Sequence, residues 1–313
     1  MKKYIVRRLL MLIIVCMGIS VISFGLANVS SIDAAEAYVR LHSQSPTEEQ
    51  IEVMREEMGL NDSIIVQYFN WLKKIVRFDF GTSLRTRNSV ADEFVTYLMP
   101  TVVLVIITLM ISTILTVVLA LLASYFHKGI LDQLIRIFNL MGMSVPNFWL
   151  GYILLLIFAV KLKWIPIVSS FSLKEAILPA LTLSIPYVAV NVRILRSCLL
   201  DNMTQDCVVY ARARGLSEVK IMISYVLKNS LAPMITVLGQ SVGYLLAGTA
   251  IIESVFSWPG LGSYILKSIM TRDFPVINMY VVFMAVVFVV SNLIADLVNI
   301  SMNPKMLDSI GEI

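Results

Sequence analysis

Six stretches of this sequence, 9–29, 100–126, 137–160, 176–192, 229–252 and 274–295, contain no Asp, Glu, Lys or Arg. A helix needs about 20 apolar residues to cross the hydrocarbon core of a bilayer. Apart from a closed barrel, only a helix pairs all its backbone polar groups there. The six runs therefore predict six membrane-spanning helices. No soluble core hides so much apolar chain: 58% of the 313 residues are hydrophobic and 15% charged, against about 45–50% and 25% in soluble domains. The fourth run is the shortest, and Arg193 follows it. An arginine's long stem carries its charge to the interface, so this span is expected to continue past 192.

The first run has two readings. Lys2, Lys3, Arg7 and Arg8 precede it and Gly25-Leu26-Ala27 resembles a cleavage site, as in a secretory leader. Its 21 uncharged residues exceed the roughly 7–15 of a leader's apolar segment, which favours a retained anchor over 1–29. Lys and Arg in short flanks set orientation, with the richer side inside. With the N-terminus inside, 13 flank that side, from Lys2 to Lys305, and 5 flank the other: Lys161, Lys163, Lys174, Lys267 and Arg272. Segment 30–99 is not counted, because long loops cross largely regardless of charge. Both termini are thus expected in the cytoplasm, with 30–99 outside. The net charge of +4 belongs to this topology signal, since no basic, aromatic-laced patch points to nucleic acid.

The outer segment carries helix signals of its own. Ser45 suits an N-cap, Pro46 the first helical position and Glu48 the capping box. Ile51, Met54 and Met58 then recur on one face before Gly59. A second helix is expected over 66–76, where Tyr68, Leu72 and Ile75 recur, followed by a turn at Phe78-Asp79-Phe80-Gly81. These elements form either a small packed cap or a docking surface for an external partner.

The most informative inner segment is 206–233, between spans four and five. Cys207–Arg214 has helical composition, and Gly215 permits the positive φ of a helix end. Ser217 can cap a further helix through Val219, Ile223 and Val226. Taken alone, helix, glycine turn and helix read either as an amphipathic connector or as a rigid lever seated in a cytoplasmic partner.

This loop resembles that of the membrane permease subunits of binding-protein-dependent ABC importers, in the dipeptide, oligopeptide and nickel branch. Their coupling loop carries D-Y-V-x-x-A-R-A-K-G-L. Here Asp206, Val208, Ala211, Arg212, Ala213, Gly215 and Leu216 match, and Arg214 stands for the Lys. Cys207 replaces the Tyr, Val209 takes the place of the wider family's Glu, and Tyr210 that of its first Ala. Pro233 corresponds to the proline that ends the loop. Ile252-Glu253-Ser254-Val255-Phe256-Ser257-Trp258-Pro259-Gly260-Leu261-Gly262 looks like the family's E-x-x-F-x-x-P-G-x-G block. Arg272-Asp273-Phe274-Pro275-Val276, Asp296-Leu297 and Asn303-Pro304 follow in the family's order. Gly59-Leu60-Asn61, Gln67-Tyr68 and Trp71-Leu72 match its outer segment.

The resemblance implies an all-α, six-span type I permease with an outer helical insert at 30–99, a core over 100–302, a coupling loop at 201–228 and a cytoplasmic tail at 303–313. It implies a bacterial cytoplasmic membrane location. It also implies four kinds of partner: a second homologous permease, two cytoplasmic ATPase subunits, an external binding protein and the bilayer. ATP and Mg would be held by the ATPases, and this chain would hold no cofactor. The sequence indeed has no G-x-x-x-x-G-K-[S/T] phosphate loop. Asp206, Ala211, Arg212, Ala213, Arg214, Gly215 and Leu216 would couple to the ATPase. Glu253, Trp258, Pro259 and Gly260 would form an outer gate or a binding-protein contact, the plainer account being a re-entrant turn with a solvated Glu253 and an interfacial Trp258.

Tyr38-Val39-Arg40-Leu41, Asp79-Phe80-Gly81 and Ser144–Leu150 look more like nickel-import permeases. Nickel or a metal chelate is therefore the expected cargo, with a di- or oligopeptide as the alternative. The two histidines, His42 and His127, fall on opposite sides, and Cys16, Cys198 and Cys207 have no metal-site or disulfide spacing. No metal ligand is assigned. Pro146 and Pro186 are candidate kinks along a pathway, or simple packing bends. An intramembrane enzyme would need paired ionisable groups within the spans, and the six runs have none. An autonomous channel would conduct without ATPases, whereas this chain is expected to be inert alone.

Overall fold

Backbone groups in hydrocarbon must pair within their own segment, and the apolar runs do so as helices. In a computed structural model describing residues 2–29, 33–166 and 171–302, these are α1 (Lys2–Val29), α5 (Val90–Tyr125), α6 (Ile130–Ser144), α7 (Asn147–Leu155), α8 (Leu173–Asn202), α11 (Lys228–Val255) and α13 (Phe274–Met302). Shorter helices lie between them: α2 (Ala34–His42), α3 (Glu48–Glu57), α4 (Ile64–Val76), α9 (Asp206–Ala213), α10 (Glu218–Ile221) and α12 (Leu261–Met270). A π-helical turn at Leu156–Lys161 continues α7, and another at Met222–Leu227 joins α10 to α11. The expected tail at 303–313, with Asn303-Pro304, lies outside the described residues.

Five helices are long and apolar enough to cross a membrane, and the α6–α7 pair makes a sixth if taken as one span. The third apolar run is not one continuous helix, and its interruption falls at the candidate kink Pro146. It breaks at Val145-Pro146, and the two pieces bend by 102°. Proline lacks an N–H and excludes the residue before it from the helical region. Val145 accordingly sits at φ −87°, ψ 126°. The fourth span does run past Arg193, to Asn202. α5 starts ten residues before its apolar run and carries Pro100 inside it. Pro233, expected to close the inner loop, lies within α11.

The described chain packs as two units. One joins Met1–Thr101 to Pro259–Val289. In it, Val90, Phe94, Leu261, Tyr264, Ile265 and Val276 form a buried core. α4 lies on α1, where the Ser20 and Tyr68 hydroxyls are 2.9 Å apart and Phe24 packs on Tyr68 and Trp71. The start of α3 differs from expectation. Ser45-x-x-Glu48 and Thr47-x-x-Gln50 both fit a capping box, and the second is used: Gln50 N–H donates to Thr47 Oγ1 while Thr47 N–H donates to Gln50 Oε1. That register buries Ile51. α2 has a signal of its own, since Asp33 accepts from Glu36 N–H at 2.8 Å and pairs with Arg55 of α3 at 2.6 Å.

The second unit comprises Val102–Trp258 and Val290–Ile313. Its buried core joins Ala120 and Ala123 of α5, Ile135 of α6, Val188, Val192, Leu195 and Leu199 of α8, and residues of the 206–234 segment. Small residues permit the closest helix approaches. At Gly239 of α11 an added Cβ would lie 2.1 Å from the Ala295 Cβ of α13.

Candidate functional site

The helix–glycine–helix segment forms as read, and its two faces do different things. Val208 and Ala211 are three residues apart and point into the second unit's core, against the group that includes Leu195, Leu199, Ile221 and Val226. Ala211 is 3% exposed, so it backs the helix rather than offering a surface. Val209 and Tyr210 point the other way, Tyr210 being 72% exposed. Asp206, Arg212, Ala213, Arg214 and Gly215 are also exposed, and Leu216 packs partly on the core.

The turn is built by backbone and charge together. Gly215 N–H donates to Arg212 O at 2.9 Å, and Leu216 N–H donates to Ala211 O at 3.3 Å. Gly215 has φ +75°, and a Cβ there would meet nothing within 4 Å. Glycine is needed for the backbone angle, not for space. Across the turn, Arg212 Nε and Nη2 donate to the two Glu218 carboxylate oxygens at 2.7 and 3.0 Å. This hydrogen-bonded pairing raises the Arg212 guanidinium above its ordinary pKa and holds the Glu218 carboxyl below its own. Sequence reading placed Arg212 beside the turn but missed this partner. Ser217 precedes α10 without a side-chain capping bond.

Two further polar ties fix the helices that carry α9. Asn202 Nδ2 donates to Ser230 Oγ at 2.8 Å, which joins the end of α8 to α11. Asp132 of α6 is fully buried and accepts from Arg196 Nε and Nη2 at 2.8 and 2.7 Å and from Lys128 N–H at 3.0 Å. Arg196 Nη2 also lies 3.0 Å from His127 Nδ1. The fork geometry suits a desolvated pair. It explains how α6 begins at charged residues ahead of its apolar run.

The block around 253 departs from its plainer account. Glu253 and Trp258 are both 0% exposed, so Glu253 is not solvated and Trp258 is not an interfacial side chain. Trp258 N–H donates to Glu253 O at 2.7 Å, and the indole packs edge-on against Phe171. In the first unit, Pro259 is half-buried and buried Gly260 precedes α12, whose Leu261 N–H donates to Thr101 Oγ1 at 2.7 Å. A residue that sequence reading noted only as part of a motif has the clearest role there. Asp273, also 0% exposed, accepts from Ser83 Oγ at 2.5 Å and from the Leu84 and Arg85 N–H groups at 3.0 and 3.4 Å. It thereby anchors the loop at 82–89. Among the described residues no three His, Cys, Asp or Glu side chains converge as a metal site would require.

Five to six apolar spans with an exposed helix–glycine–helix define a class, and family comparison agrees. The chain belongs to the binding-protein-dependent transport system inner membrane components: that family's profile matches residues 116–308, and the N-terminal profile of the same transport systems matches 1–105. It is a multi-pass permease subunit of an ABC importer.

Among its relatives is the glutathione transport system permease protein GsiC of Escherichia coli, 33% identical over 306 residues, which cover 98% of this chain and 99% of that protein. Another is the probable peptide ABC transporter permease protein y4tP of Sinorhizobium fredii, 32% identical over 314 residues with the same coverage. A solved amino acid ABC transporter with histidines overlays 69% of this chain and 94% of its own with TM-score 0.48 at 17% identity.

Proposed function

We propose that this chain forms half of the translocation pathway of an importer for short peptides, driven by separate ATPase subunits. The observation that carries this reading is the end-to-end likeness to permeases named for glutathione and peptide transport. Those names give no support to nickel or a metal chelate as cargo, and the peptide alternative takes its place. In this reading the chain sits in the bacterial inner membrane with both termini in the cytoplasm. It pairs with a second permease, receives cargo from an external binding protein and holds neither ATP nor Mg itself. The division into anchor 1–29, outer insert 30–99, core 100–302 and tail 303–313 is part of the proposal.

The power input is α9 and its turn. ATP binding closes the ATPases, which pull on the exposed face of α9 at Val209, Tyr210, Arg212 and Arg214. Asp206, Ala213 and Gly215 complete that surface, while Ala211 and Leu216 hold it to the core. Because α9 shares a core with α8 and the segment leading into α11, a pull on it moves those helices as a body, and packed elements shift between discrete arrangements. Glu253, Trp258, Pro259 and Gly260 act as an outer gate, with the two buried side chains holding the turn from within. Cargo is tested with the full importer in proteoliposomes, loaded with ATP and offered labelled alanyl-alanine or labelled nickel. ATP-dependent uptake of the dipeptide is expected. Uptake of nickel without the dipeptide overturns the reading.

A further inference from the structure

We propose that a cleft between α7, α8 and α11 is a cargo subsite that reads the peptide backbone through uncharged hydrogen bonds; the inference rests on the peptide reading above. The cleft is about 310 Å³ and is lined by Asn147, Tyr187, Asn191, Gln240, Ser241 and Tyr244, among others. Clefts of roughly 300–1,000 Å³ hold small molecules, and this one stands at the small end.

Its place in the fold is specific. The α8 residues that line it, 186–191, and those of α11, 237–244, straddle the midpoints of two helices long enough to span. Asn147 heads α7 directly after the 102° break. Interrupted helices at the middle of a membrane are tolerated where they line a cavity, and their free ends serve as ligand groups. Polar side chains at that depth are expensive unless something satisfies them. Asn191 is 5% exposed and Ser241 is 6% exposed, so both have been taken out of solvent within otherwise apolar runs.

The chemistry of the lining selects the ligand class. Three carboxamides and three hydroxyls are set among the apolar Pro186, Val190 and Val237, which line much of the cleft, and no carboxylate, imidazole, thiol or cation lines it. Transition metal ions favour the imidazole and thiolate ligands missing from that set. A peptide unit presents one N–H and one C=O, which the amide and hydroxyl groups complement in both directions. Ser241 Oγ donates to Val237 O at 2.7 Å, and the carboxamide oxygens of Asn191 and Gln240 are the lining groups that would accept from a cargo N–H. Reading the backbone with neutral groups makes the subsite indifferent to cargo side chains. It also holds the cargo without the deep trap that an ion pair in low dielectric would set.

The test compares uptake of alanyl-alanine with that of alanyl-sarcosine, whose methylated amide has lost its N–H. The full importer is used in proteoliposomes, with the binding protein saturated by either compound. Because the readout is a ratio within one preparation, a variant that assembles poorly lowers both rates and leaves the ratio unchanged. The native importer is expected to favour alanyl-alanine by about tenfold, the worth of one hydrogen bond near the upper end of its range. Gln240→Leu, at an exposed position, and Asn191→Leu are expected to bring the ratio close to one. A native preference that survives in both variants overturns the subsite while leaving the peptide reading intact, as does a native ratio of one. Nickel uptake with no uptake of either dipeptide overturns the peptide reading and the ligand class together.

Discussion

Tyr210 and Ala211 are neighbours in the chain and belong to different surfaces, one 72% and the other 3% exposed. Their difference follows from the helical period, since Ala211 shares its face with Val208 three residues before it. Gly215 then sets where the next helix points. At φ +75° with open space around it, an alanine pays a backbone penalty of about 1–2 kcal/mol and meets no clash. Gly215→Ala is therefore expected to loosen the turn without disturbing the core. In proteoliposomes the ATP hydrolysed per dipeptide taken up should rise several-fold, and Gly215→Val should do the same; a native ratio in both contradicts the role given to the turn. The Arg212–Glu218 pair makes a smaller contribution. Its side chains are 43% and 50% exposed, and pairs of that kind contribute about 0.2–1 kcal/mol. Glu218 is held below its ordinary pKa, so the contribution is complete above the usual glutamate value near 4.3 and is lost as pH falls through the lowered folded value. The melting temperature of Glu218→Gln should lie slightly below native at pH 7 and converge with it as pH falls through the lowered Glu218 pKa.

At the scale of elements, the helices meet through small residues and single polar ties. An alanine Cβ at Gly239 would sit 2.1 Å from that of Ala295. Gly239→Ala should lower stability by about 1–3 kcal/mol, as overpacking does, and Ala295→Gly in the same chain should restore most of it. Thermal unfolding in detergent reads both. The Asp273 anchor makes a separate expectation. Asp273→Asn removes the charge that two backbone N–H groups and the Ser83 hydroxyl share, and bonds to charged groups contribute about 1.5–3 kcal/mol each. Hydrogen exchange at Leu84 and Arg85 should quicken while exchange in α8 stays native. Much of this level was not legible in the sequence. Asp132 and Arg196 are 64 positions apart, and Ser83 and Asp273 are 190 apart, with nothing local to mark either pairing. The cap of α3 was ambiguous because two overlapping four-residue patterns satisfied the same rule. The break at Pro146 was visible as a proline, but its 102° angle depends on what packs around it.

At the scale of the whole chain, sequence carried more. Uncharged runs located the spans because lipid leaves a backbone few alternatives, and a glycine between two amphipathic stretches located the turn after α9 because glycine adopts positive φ most readily. What sequence could not separate was which side of α9 faces a partner, since Ala211 belongs to the family motif and Tyr210 departs from it. In the proposed importer the ATPase packs against Tyr210, and the core packs against Ala211. A photoreactive phenylalanine analogue at each position, in the assembled importer, decides it. Position 210 is expected to cross-link to an ATPase subunit, and position 211 is expected to give no such adduct. An ATPase adduct from 211, or none from 210 in a complex that still transports, contradicts the account.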